Sequence, residues 1–98
     1  MEYLDQIRDQ IVAIADPTRI YLFGSQAKGT ARPGSDIDLC IVARTEHKRR
    51  LLTELYFQVD SELPIDFLLY TPEEWEHCLA DEHSFANVIL REGVLLYG

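Results

Sequence analysis

The stretch from Gly24 to Leu39, GSQAKGTARPGSDIDL, lies between two short apolar runs, Ile20-Tyr21-Leu22-Phe23 and Leu39-Cys40-Ile41-Val42, and constrains the fold more than any other segment. Short runs rich in β-branched and aromatic residues read as strands. Gly24-Ser25, followed by Lys28 and Gly29, leaves the first strand and opens a short helical turn from Gln26 to about Ala31. Small residues there let backbone N–H groups and a hydroxyl face an anion, which makes a phosphate seat. Pro33-Gly34 then returns the chain through a turn. The second strand, Asp36 to about Ala43, begins with Asp36-Ile37-Asp38. Side chains alternate along a strand, so the two carboxylates project from one face and Ile37 from the other. Two such carboxylates make a seat for a hard cation.

A divalent ion beside a phosphate cradle is how proteins handle nucleoside triphosphates, because Mg²⁺ takes carboxylate oxygens, keeps waters and bridges to phosphate oxygens. A third carboxylate is expected. Asp66 supplies it, a lone acid in the apolar run Pro64-Ile65-Asp66-Phe67-Leu68-Leu69-Tyr70, where burial is costly unless a cation or hydrogen bonds satisfy it.

The remaining periodicities place these residues in a frame. Leu4, Ile7, Ile11 and Ile14 mark an amphipathic helix over about Tyr3 to Ala15, ended by Asp16-Pro17. Leu51, Leu52, Leu55, Tyr56 and Val59 mark another over about Glu46 to Asp60. Ile65 to Tyr70, with few polar positions, is expected as a central strand. Thr71-Pro72-Glu73-Glu74 is a helix start with Thr71 as N-cap and Glu74 closing a capping box. A last helix, roughly Glu82 to Arg91, offers Phe85, Val88 and Ile89 to the core before Gly93, and Val94 to Tyr97 makes a short strand. The order gives an α+β fold, a small mixed sheet covered by helices mainly on one side, with the other face partly open to substrate.

Length and composition fit a single domain over residues 1–98, and a hydrophobic share of 47% is that of a globular chain. No apolar run approaches the roughly 20 residues of a membrane span. The N-terminus MEYLDQIRDQ lacks the basic and apolar regions of a signal peptide, so a cytoplasmic location is expected. Nine basic against seventeen acidic residues leave a net charge of −8, which repels nucleic acid phosphates. Direct nucleic-acid binding is therefore disfavoured. His47, Lys48, Arg49 and Arg50 read as a solvated helix face, and Cys40, Cys78 and the three histidines show no ligand spacing. Tyr21 and Trp75 read as core.

Gly24-Ser25, Ala27, Gly29, Ser35-Asp36, Asp38-Leu39 and Asp66 together resemble the signature of the DNA polymerase beta nucleotidyltransferase superfamily. More narrowly, the chain is similar to minimal nucleotidyltransferases of the MNT type, antitoxins paired with HEPN-domain toxins. That likeness extends to the ending Arg91-Glu92-Gly93-Val94-Leu95-Leu96-Tyr97. Lys28 stands where many relatives carry arginine, keeping the charge without the bidentate geometry. The resemblance implies a palm-like core and Mg²⁺-dependent transfer of AMP from ATP to a hydroxyl, with pyrophosphate leaving. It implies Asp36, Asp38 and Asp66 as catalytic residues and as the ligands of two Mg²⁺ ions. It places the nucleotide against Gly24, Ser25, Lys28 and Ser35. It also implies a HEPN toxin as partner and acceptor, modified on a tyrosine in a type VII-like toxin–antitoxin pair. So short a chain leaves the acceptor surface to another molecule. Two alternatives stay open: a small-molecule nucleotidyltransferase similar to the aminoglycoside-modifying enzymes, and a non-catalytic antitoxin that inhibits by contact.

Overall fold

The computed structural model of the chain describes residues 2–98. Among the described residues, five helices and four strands follow in the order α1 (Glu2–Ala15), β1 (Arg19–Phe23), α2 (Ser25–Lys28), β2 (Ile37–Val42), α3 (Lys48–Gln58), β3 (Ile65–Tyr70), α4 (Pro72–Leu79), α5 (Phe85–Glu92) and β4 (Val94–Tyr97). The strands form one mixed sheet in the order β3-β2-β1-β4. β1 runs antiparallel to both β2 and β4, whereas β2 and β3 are parallel. A parallel pair needs a long crossover, and α3 supplies it. Among the described residues no helix is long and apolar enough to cross a membrane.

The alternation read from β2 holds. Ile37, Leu39 and Ile41 join Ile20, Leu22, Phe67 and Leu69 on one face of the sheet, where Leu4, Ile7, Ile11 and Ala15 of α1 and Leu51 and Leu55 of α3 cover them. Cys40 and Val42 point to the opposite face and meet Tyr21, Trp75 of α4, and Ala86 and Ile89 of α5. Tyr21 stacks on Trp75 with ring centroids 5.4 Å apart, and Tyr70 packs edge-on against the same indole at 5.2 Å. Burial among these groups pushes the Cys40 thiol up to about 12, so it stays a neutral core side chain. Both faces therefore carry helices, unlike the one-sided cover expected from the sequence.

Three further expectations are corrected. β3 is an edge strand, paired only with β2. Its run reads as central because helices cover both of its faces, and its open edge is blunted by the Tyr56 hydroxyl, which accepts the Phe67 N–H at 2.9 Å. α5 begins at Phe85 with Ser84 as N-cap, and Phe85 is half exposed while Ala86 and Ile89 take the core positions. α2 spans Ser25–Lys28, shorter than expected, because Gly29 stops it in a left-handed conformation. The α4 start is as the sequence implies: the Thr71 hydroxyl accepts the Glu74 N–H, and the Glu74 carboxylate accepts the Thr71 N–H.

Candidate active site

The end of the sheet where β1 stops and β2 and β3 start carries the polar residues singled out in the sequence. β1 delivers Gly24, whose φ of 73° and ψ of −155° belong to a region essentially restricted to glycine. A second constraint acts on the same atom. The Asp38 carboxylate lies so close to the Gly24 Cα that a methyl group there would overlap Asp38 Oδ2. The glycine thus turns the backbone and lets the acid close over it.

α2 begins directly after Gly24. The Ala27 and Lys28 N–H groups both donate to the Gly24 carbonyl at 3.1 Å, while the first amides of a helix have no partner within it. Ser25 is half-buried at this start. Lys28, expected at the phosphates, is held at the far end of α2 by Glu92, with Nζ 3.1 Å from Oε1. The ion pair is solvent-exposed on both sides and easily exchanged for another anion.

Between α2 and β2 the chain closes a turn that Ser35 organises. The Ser35 Oγ accepts the Arg32 N–H at 2.9 Å, and the Ser35 N–H donates to the Arg32 carbonyl at 3.0 Å. Its hydroxyl is therefore engaged in shaping the loop. Gln26, which sequence reasoning passed over, donates from Nε2 to the Ser35 carbonyl at 3.2 Å and ties α2 to the loop carrying Asp36. Only the short separation of Gln26 from Ser35 could have hinted at this.

Asp36 is exposed in that loop, one residue before β2, which starts at Ile37 rather than at Asp36. The Ile37 N–H donates to the Pro64 carbonyl at 2.9 Å and locks the entry of β2 beside that of β3. In this register Asp38 lies directly beside Asp66, and on its other side directly opposite Phe23. Register partners share a face, so Phe23, Asp38 and Asp66 form a row across three strands. Partial burial, then the negative charges of Asp66 and Asp36, hold the Asp38 carboxyl above its ordinary value. The structure thus brings Gly24, Ser25, Asp36, Asp38 and Asp66 to one end of the sheet, with Ser35 behind them and Lys28 turned to Glu92.

Among the described residues no group of three His, Cys, Asp or Glu side chains is gathered closely enough to cage a metal ion. The site is an open shelf on which Asp66 and Asp36 are exposed, and a cleft between α1 and the 60–63 loop lies apart from it. Mg²⁺ is commonly held by one or two carboxylates plus phosphate oxygens and waters, rather than by an all-protein cage. The hard-oxygen donor set and the mutual repulsion around Asp38 fit that ion.

A family model described as "Nucleotidyltransferase domain" matches residues 4–96. None of the curated proteins matches the sequence closely enough to serve as a relative. Among solved structures, the fold is similar to that of a protein from Sulfolobus solfataricus assigned as a nucleotidyltransferase. That pair has 16% identity and a TM-score of 0.60, covering 96% of this chain and 76% of the other. It is also similar to a chain in a toxin–antitoxin structure with AMP-PNP, with 23% identity and a TM-score of 0.62, covering 97% of this chain and 69% of the other.

Proposed function

The chain belongs to the nucleotidyltransferase-domain family, and from that premise we propose that it transfers AMP from ATP to a hydroxyl, that of a tyrosine, on a HEPN toxin partner, as the antitoxin of the pair.

 The observation that carries this reading is the register of β2 and β3, which sets Asp38 beside Asp66, with Asp36 at the loop and the Gly24-Ser25 turn closing against the same carboxylate.

Each residue has a role that follows from its place. The amides at the start of α2 and the Ser25 hydroxyl would bind the terminal phosphates, where fixed N–H dipoles stabilise negative charge without reorganising. Lys28 would exchange Glu92 for a phosphate oxygen. Asp36 and Asp38, with Asp66 completing the set, would hold two Mg²⁺ ions. When bound, these ions would neutralise charge on the triphosphate and on the entering and leaving oxygens. Asp66 lies on the edge strand, open to solvent, and in this reading would orient an incoming hydroxyl and accept its proton. The new bond forms between the acceptor oxygen and the α-phosphorus, the bond to the bridging oxygen breaks, and pyrophosphate departs. An open shelf favours an acceptor presented by another macromolecule, since a side chain can reach Asp66 without entering a cleft. The toxin–antitoxin structure with AMP-PNP supports a toxin as that partner by likeness of fold.

The test is intact-mass spectrometry of a candidate HEPN-domain partner after incubation with this chain, ATP and Mg²⁺. Added AMP mass with the wild type, and none with Asp36→Asn/Asp38→Asn, is the expected result. A stable complex that never gains mass would replace catalysis with inhibition by contact.

A further inference from the structure

We propose that Phe85, backed by Phe23, is the platform on which the purine base of the nucleotide stacks. The inference rests on the reading of the shelf as a nucleotide site and extends it to the base. Phe85 is 51% exposed at the first turn of α5, although its neighbours Ala86 and Ile89 are buried. Its ring meets Phe23 edge-to-face, with centroids 5.5 Å apart and planes at 82°. Phe23 is the direct cross-strand partner of Asp38.

A single exposed aromatic is ordinary on a protein surface. Phe57, at 89% exposure, is such a case, since it sits on α3 over the opposite face of the sheet. Phe85 differs in its position. Across the sheet the row runs Phe23, Asp38, Asp66, and α2 starts two residues after Phe23. Phosphates at Gly24-Ser25 therefore place the nucleotide on the Phe23 side of Asp38. The acceptor then enters from the Asp66 side, along the open edge of β3. A base attached to those phosphates lies on the side of the row that carries the aromatic pair, because Phe23 directly precedes Gly24 and Phe85 packs on Phe23. Edge-to-face packing on Phe23 fixes the Phe85 ring, and base stacking on an aromatic side chain needs no particular hydrogen-bonding edge.

Isothermal titration calorimetry with Mg²⁺ present, using ATP and inorganic tripolyphosphate as probes, tests the proposal on the full chain. Phe85→Ala and Phe85→Leu are expected to raise the Kd for ATP about tenfold, roughly 1.4 kcal/mol, and to leave tripolyphosphate binding unchanged. Phe85→Trp keeps the π face and is expected to keep ATP affinity. Circular dichroism confirms folding of each variant, and the Leu and Trp pair decides the matter if Phe85→Ala does not fold. Equal ATP affinity in wild type and Phe85→Leu would overturn the platform while leaving the nucleotide site standing. Equal ATP affinity with transfer to the partner lost would overturn it in favour of an acceptor contact. A wild type that binds neither probe would overturn both the platform and the nucleotide site beneath it.

Discussion

Gly24→Ala is the sharpest test of the site's construction, because two separable costs fall on one methyl group. The first is conformational. At φ 73° and ψ −155°, a residue with a Cβ is strained by about 2 kcal/mol, within the 1–3 kcal/mol of such regions. The second is the overlap with Asp38 Oδ2. Turning that carboxylate away from its favoured rotamer costs about 1 kcal/mol. Together they come to about 3 kcal/mol, and at 4–8 °C per kcal/mol for a domain of this size the Tm falls by roughly 12–24 °C. Gly29 and Gly34 also have positive φ, of 72° and 82°, but a methyl group at either meets nothing within 4 Å. Gly29→Ala and Gly34→Ala should therefore show only the conformational part, about 1–2 kcal/mol. Calorimetric melts of the three variants, alone and combined with Asp38→Ala, separate the terms. Removing the carboxylate should relieve about 1 kcal/mol of the Gly24→Ala loss and nothing of the other two. If Gly24→Ala costs no more than Gly29→Ala, or does not couple to Asp38→Ala, the close approach of carboxylate and turn is refuted.

Two further outcomes bear on charge and on capping. The Asp38 carboxyl is raised by burial and by Asp66 and Asp36, so its contribution to stability is full below the ordinary carboxylate range and is lost as pH rises through the raised value. Metal-free Asp38→Asn should consequently melt a few degrees higher than wild type at pH 7 and match it in acid. Mg²⁺ at a hundredfold excess over its Kd should add about 2.7 kcal/mol to the wild type and much less to Asp38→Asn; equal shifts in thermal melts would remove the metal site. At α4, Thr71→Ala should cost about 1 kcal/mol in denaturant titrations. The Glu74 carboxyl, held low first by the Thr71 N–H and then by Lys48, contributes stability above its ordinary value that is lost as pH falls through the lowered one, and Glu74→Gln should flatten that acid limb.

What the sequence disclosed and what it concealed divide by the range of the interactions involved. The Gly24 turn and the side-chain alternation from Ile37 onward were legible because their geometry is local, whereas Asp36 lies in the loop before β2, where alternation does not reach it. The capping box at Thr71 was legible for the same reason. The position of β3 was not, since an apolar strand records only that both its faces are covered, and helices can do that at an edge as well as in the middle. Nor was the second helical layer, because Trp75 and Ile89 show that α4 and α5 have apolar stripes without showing which face of the sheet receives them. The roles of Ser35 and Lys28 depend on partners, Arg32 and Glu92, chosen by the folded chain. Phe85 illustrates the point most fully. Its spacing with Val88 and Ile89 satisfies a core stripe, yet the stripe that is buried runs through Ala86 and Ile89. The larger aromatic is left at the margin of the carboxylate shelf, where tertiary placement turns a residue that hydropathy assigns to the core into a surface for a planar ligand.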